Sequence, residues 1–414
     1  MSITGLQKLI SAMDDEYPIL EHLIIVREIK GSNEDTSTIL ILPEILQAPH
    51  LRHLVLVGFA IPVGSRLLTT AVGLVTLLLI MIHPSTYFHP NTLLQWLSFM
   101  PQLEVLILSF FFPAFDIERQ LTHTPITAAA TLPNLRHLEF QGFRTFSEAV
   151  IHRITAPHLE KLQIVFFNQL TFSVPHLLQF LNATENLTFK SAKFEFFDTQ
   201  VGMKVSPHEE AQTPALFIAV NCWHLDWQVS SAAQIFNYLS PRLSAVENLT
   251  LEHHVHGRSS EEHNDADPTE WRVLLSSFRN TKTLRIGEGL VGELSRCLEL
   301  DDGELPLGLL PELQELIYSG SGDTGDVFTS FVDARQDAGR PLTLVHRRPS
   351  QDQGSSVPSL EPPSISPASD EARSDLDTEN RVVYPSPTLP PSPTGSLLLR
   401  RDVLAEDLAT PYIP

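Results

Sequence analysis

Histidines and carboxylates between residues 252 and 267 form the densest set of potential metal ligands in this chain. His253, His254, His256 and His263 lie among Glu252, Glu261, Glu262, Asp265 and Asp267. Imidazole nitrogens and carboxylate oxygens suit zinc or nickel, but no two of these residues share a helix face at ligand spacing. The run reads as a polar loop off the end of a strand. Asp301-Asp302-Gly303-Glu304 offers oxygens to calcium, yet it is too short for a full binding loop and reads as a turn. Ser319-Gly320-Ser321-Gly322-Asp323-Thr324-Gly325 is glycine-rich without the lysine of a phosphate loop, so turn chemistry accounts for it. HExxH, GxSxG and GxxxxGK[ST] do not occur. Two cysteines, Cys222 and Cys297, are too few for a disulfide framework or a cysteine zinc site. The expectation is a non-catalytic protein with no metal and no cofactor.

A short phrase carries far more information. It reads Pro49-His50-Leu51-Arg52-His53-Leu54-Val55-Leu56, then Pro101-Gln102-Leu103-Glu104-Val105-Leu106-Ile107-Leu108. Starts at Pro18, Pro133, Pro157 and Pro311 complete six copies of P-x-L-x-x-L-x-φ, with φ apolar. Looser copies centre on Leu77, Leu187, Leu249 and Leu284. Most second leucines lie 23 to 35 residues apart. The interval of 62 from Leu187 to Leu249 leaves room for an additional strand at 214–220. This is the core pattern of a leucine-rich repeat, in which each copy is one short strand that cannot bury its apolar side alone. The predicted fold is an α/β leucine-rich-repeat solenoid (horseshoe) with a parallel concave sheet and convex helices. Helices are expected at 91–100, 147–154, 174–181 and 231–239, and from Pro268, with Asp267 as N-cap. A helix over 324–338 and a strand over 341–345 would cap the array.

Composition sets the partner class. With 43% hydrophobic residues the chain can bury a large core, and Lys+Arg 28 against Asp+Glu 49 gives a net charge of −21. No basic run is present, which argues against nucleic acid. Leu67–Ile82 is uncharged, but it fits a strand buried on both sides better than a bilayer span, which needs about 18–20 residues. No membrane is therefore expected, and a first segment without an apolar leader predicts an intracellular protein. The array should occupy residues 1–345. Residues 346–414, rich in proline and serine, should be a disordered tail.

The strand pattern also names a candidate binding strip. Outward positions begin apolar, with Ile24, Val26, Val55, Val57, Leu78, Ile80 and Ile107, and then turn polar. The polar stretch, a candidate protein-binding surface, comprises His137, Glu139, Gln141, Lys161, Gln163, Asn186 and Lys190. The apolar stretch predicts either a covering partner or a different register. Just past the strands, Phe59, Phe111, Phe143 and Phe167 are expected to stack as an apolar spine.

Leu46–Leu56, Cys222–Ser231 with its two tryptophans, Asp267–Phe278 and Gly303–Gly325 together resemble the repeat region of F-box/leucine-rich-repeat proteins, a family abundant in mushroom-forming fungi. The resemblance covers about residues 5–348. It implies a substrate receptor for a cullin-type ubiquitin ligase, holding its substrate on the repeats and a Skp-type adaptor on an N-terminal F-box. Here the repeats begin at once, and Ile41-Leu42-Pro43-Glu44-Ile45-Leu46, which mimics an F-box opening, runs straight into a strand. An adaptor is therefore expected only if an F-box lies upstream, and no adaptor contact is carried over. The bound protein itself is unknown.

Overall fold

The computed structural model describes residues 3–13, 15–27, 40–83, 87–111, 125–167, 171–209, 211, 213–254, 266–299, 307–320 and 327–347. All of these belong to one compact unit; residues 30–33 and 350–414, assigned to a second unit, lie outside them. Expectations for residues 255–265, for 301–304 and for the tail beyond Arg347 also fall outside.

The strands are, in chain order, β1 (His22–Val26), β2 (Leu40–Ile41), β3 (His53–Val57), β4 (Phe59–Ala60), β5 (Thr76–Ile82) and β6 (Val105–Phe110). They continue as β7 (Ala130–Thr131), β8 (His137–Gly142), β9 (Ile154–Thr155), β10 (Lys161–Phe166), β11 (Ser191–Phe197) and β12 (Gln200–Ser206). β13 (Leu216–Asn221), β14 (Asn248–His254), β15 (Thr283–Ile286), β16 (Glu315–Ser319) and β17 (Thr343–Arg347) complete the described set. Thirteen of them form one sheet, ordered β1-β3-β5-β6-β8-β10-β13-β12-β11-β14-β15-β16-β17. Every pairing in it is parallel except the two made by β12.

The repeated phrase has one local conformation. In all six strict copies the strand begins one residue before the second leucine. The first leucine closes a tight turn by donating its N–H three residues back, as from Leu51 to Ala48 O at 3.0 Å and from Leu313 to Leu310 O at 3.0 Å. Proline suits the turn because it needs no N–H there. The second leucines then align across the sheet, Leu23 beside Leu54, Leu77, Leu106, Leu138 and Leu162. Most of these are wholly buried, and burial of each is worth about 1.5–3 kcal/mol.

Helices supply the second layer, and from Pro90–Ser98 to Val291–Leu298 each touches the next. They cover Pro90–Ser98, Arg144–Ile151, Pro175–Ala183, Leu225–Leu243, Pro268–Ser276 and Thr329–Asp337, close to the expected positions, and also Val291–Leu298, where none was expected. Asp267 caps its helix as read, accepting from Thr269 N at 2.8 Å. Val174 gives no side-chain cap to the helix it precedes. Glu148 of the preceding helix does so instead, accepting from His176 N at 2.8 Å and Leu177 N at 3.0 Å. Leu67–Ile82 divides into a helix, Arg66–Thr70, and β5. Among the described residues no helix is long and apolar enough to cross a membrane.

At the end of the sheet a buried arginine holds the last units together. Arg335, fully buried, donates to Leu309 O, Leu310 O, Pro311 O and Leu313 O at 3.1–3.4 Å. These carbonyls belong to the turn before β16, so the final helix is bonded to it.

Three expectations need correction. The strand expected around Leu187 starts later, at Ser191, and Ala192 rather than Leu187 pairs with Leu249. Phe189 takes the first-leucine position and Ala192 the second, so a small residue disguises the phrase. The strand at 214–220 exists, but it sits directly against β10, and β12 runs antiparallel between it and β11. The four-phenylalanine spine is incomplete. Phe143 and Phe167 meet edge to face at 5.3 Å, whereas Phe111 is only half-buried. Phe110 instead joins Phe88, Phe140 and Phe146 in an aromatic cluster.

Candidate functional site

The strip of the sheet facing away from the helices runs in three aligned rows. The middle row passes from Ile24 through Val55, Leu78, Ile107, Glu139, Gln163 and Phe217. It continues through Lys204, Lys193, Thr250, Arg285, Ile317 and Val345. From β1 to β10 the register therefore matches the one read from the sequence, except at the end of β5, where a shift between Leu79 and Ile82 leaves Ile80 out of line with Ser109. The apolar beginning of the strip is real, although Val55 and Leu78 are buried by their neighbours and only Ile24 and Val26 are well exposed, at 44% and 57%.

Five of the seven expected binding residues come together. His137 lies beside Lys161, Glu139 beside Gln163, and Gln141 beside Val165. Ser109 Oγ donates to Gln141 Oε1 at 2.8 Å, tying the end of the apolar stretch to the start of the polar one. Burial, with the nearby Lys161 charge, pushes His137 down to about 4, so it is neutral at pH 7. Its contact with Glu139 at 3.7 Å is then no salt bridge. Burial raises the Glu139 carboxyl and Lys161 opposes that rise.

Asn186 and Lys190 do not join them. Asn186 lies in an exposed turn, and Lys190 precedes β11, with its carbonyl accepting from Glu247 N and Asn248 N. Their displacement follows from the later strand start: Leu187 and Phe189 are buried beside Arg242, which donates to Leu187 O at 2.9 Å and lies over the Phe189 ring.

The residues that replace them on the strip are Lys193, Glu195 and Lys204, joined by Glu252 and His254. Lys204 Nζ lies 2.6 Å and Lys193 Nζ 3.1 Å from Glu195, and Lys193 also reaches Glu252 at 2.8 Å. His254 Nε2 is 3.2 Å from Glu252, and its ring stacks on Phe197. Burial works against ionisation of Glu195, but the hydrogen bonds and charges of Lys204 and Lys193 outweigh it, so the carboxyl stays below its ordinary range. Ligand atoms of Glu195, Glu252 and His254 lie within 4.8 Å of one another, yet the two ammonium groups already neutralise both carboxylates. Arg285 pairs with Glu209 farther along the same row. The signal that could have found this network is alternation. In Ala192–Phe196 and Val201–Val205 every second residue is apolar and fully or nearly fully buried.

One motif escaped the sequence reading. Gly320, Gly322 and Gly325 have the spacing of a dinucleotide-binding loop between β16 and the helix Thr329–Asp337. In such loops the glycines open the helix directly. Here the helix starts four residues after the last glycine, and residues 321–326 lie outside the described ones. The cysteines sit away from the strip, both buried, and burial together with Asp226 pushes the Cys222 thiol up to about 12.

No family model matches this chain, and comparison with curated proteins and with solved structures returns no relative.

Proposed function

We propose that this chain is a leucine-rich-repeat solenoid acting as a non-catalytic protein-binding scaffold, with the polar part of the outward strip as its recognition surface. The observation that carries the reading is the set of half-exposed polar side chains on the outward face, His137, Glu139, Gln141, Lys161 and Gln163 on β8 and β10 and then Lys204, Lys193 and Glu252 beyond Phe217, set on a largely parallel ladder whose other face is buried. A rigid sheet presents such side chains at fixed spacing with little entropy left to lose on binding. Paired charges within the row favour a partner that replaces them with its own, which gives specificity more than raw affinity. The resemblance in the repeat phrase and the tryptophan-bearing segments supports a role akin to the substrate receptors of cullin-type ubiquitin ligases. A stand-alone recognition protein with no ligase connection is the alternative.

Charge reversal tests the surface. Glu139→Lys with Lys161→Glu, and separately Lys193→Glu with Lys204→Glu, should abolish recovery of a bound protein while the far-UV spectrum stays native. Undiminished binding by both variants would remove the site from this strip. Co-purification of a Skp-type adaptor with the full gene product separates the ligase reading from the alternative.

A further inference from the structure

We propose that His152 and His176 form a zinc site between two consecutive helices, with both imidazoles as ligands and water completing the coordination. The inference does not rest on the recognition surface proposed above, which lies on the other side of the sheet. His152 closes the helix Arg144–Ile151, and His176 stands in the first turn of the helix Pro175–Ala183. They are 24 residues apart in sequence, yet their ring centroids lie 4.0 Å apart with the planes tilted by 37°. Glu148 holds the two helices in this relation, because its carboxylate accepts from His176 N at 2.8 Å and Leu177 N at 3.0 Å. Both rings line a cavity of about 180 Å³, together with Ile154, Thr155, Phe180 and Ala183.

The donor set selects the ion. Imidazole nitrogens suit zinc, copper and nickel, whereas calcium and magnesium require oxygens. Arg153 lies near His152 and the Glu148 carboxyl near His176, so the surroundings carry little net charge and the nitrogen lone pairs would carry the binding. His176 is oriented for that role. Gln179 Oε1 lies 3.4 Å from its Nδ1 and can only accept, so Nδ1 carries the proton and Nε2 keeps a free lone pair. A hydrogen bond from the second ring nitrogen is the usual companion of a zinc-bound histidine. Zinc sits about 3.2 Å from the centre of an imidazole it ligates, so a tetrahedral angle needs ring centres about 5 Å apart, roughly 1 Å wider than here. The cavity beside the rings gives that room. At about 30 Å³ for each water, it also accommodates the two that fill the remaining positions.

Calorimetric titration of the chelator-stripped full chain with zinc chloride is the test. The chain has 17 histidines, so the reading is a difference between variants rather than a total. His152→Gln and His176→Gln should each lose one equivalent of bound zinc. The double variant should lose no more than either alone, because both rings serve one ion. Zinc would tie together two helices of the folded chain, so it should raise the melting temperature of the wild type more than that of either histidine variant. Calcium at the same concentration should produce no such difference. Single variants that bind as much zinc as the wild type, losses that add in the double variant, equal thermal shifts, or a calcium effect matching that of zinc would each overturn the proposal.

Discussion

The stretch from β1 to β10 and the meander from β11 to β13 bury their inner faces equally well, but by different routes. In the first, neighbours in the sheet follow chain order, and one leucine position fixes every strand. In the second, Asp198-Thr199 turns the chain back, β12 runs antiparallel, and β13 returns to lie against β10. The inner positions there are Ala192, Phe194, Phe196, Met203 and Val205, all fully buried. Gln228 fastens the meander to the long helix by donating to Phe197 O at 2.7 Å and Cys222 O at 2.9 Å. A regular ladder tolerates such an insertion because β13 offers β10, and β11 offers β14, the same parallel edge that a regular unit would.

Marker positions give the largest expected contrast. Leu162→Ala empties an enclosed site in the regular stretch and should cost about 2–5 kcal/mol in denaturant unfolding. Ala192→Leu, the mirror change in the meander, should cost about 1–3 kcal/mol, because Phe194 and Phe196 already fill the space. A stabilised Ala192→Leu variant would mean that the meander is only a degenerate regular unit.

Glycines sharpen the same contrast. A Cβ at Gly142 would lie 2.8 Å from the buried Phe110 ring and 3.0 Å from Phe140, so Gly142→Ala should lose about 1–3 kcal/mol. At Gly202 the nearest atoms belong to the half-exposed Phe217 ring at 3.0 Å, which can swing away, so Gly202→Ala should lose less. Equal losses in thermal melts would show that the meander is as tightly packed as the ladder.

Acid should separate the two regions by pH window. His137 falls from an ordinary 6.5 to about 4 on folding, so the unfolded chain takes up its proton first. Stability is then lost as the pH drops from about 6.5 toward 4. Glu195 has a lowered folded value, so its contribution is present above the ordinary carboxylate range and is lost only as the pH falls through that lower value. His137→Asn should flatten the first window in pH-dependent unfolding and leave the second; Glu195→Gln should do the reverse.

What could be read from the sequence follows the same division. Where proline and two leucines mark the phrase, turn, strand start, facing and register were all legible, and so were His137, Glu139, Gln141, Lys161 and Gln163 on one strip. At β11 the marker leucine is Ala192, and Leu187 five residues earlier mimics it, so the reading settled on the wrong residue and carried Asn186 and Lys190 with it. The reversal at β12 left only a two-residue alternation, Val201-Gly202-Met203-Lys204-Val205, which declares a strand without saying where it pairs. Glu148 and Arg335 were invisible for another reason: their roles depend on helix ends and carbonyls more than twenty residues away in sequence.

Cross-linking tests the strand order most directly. Paired cysteines at Gln163 and Phe217 fall on adjacent strands, whereas Gln163 and Lys193 lie three strands apart, about 14 Å at the usual inter-strand spacing. Cys222 and Cys297 are buried and should not interfere. With a short bifunctional thiol reagent, the Gln163→Cys/Phe217→Cys variant should cross-link quickly in the native state and the Gln163→Cys/Lys193→Cys variant should not. Cross-linking of the second pair and not the first would put the strands in simple chain order and contradict the reversed meander.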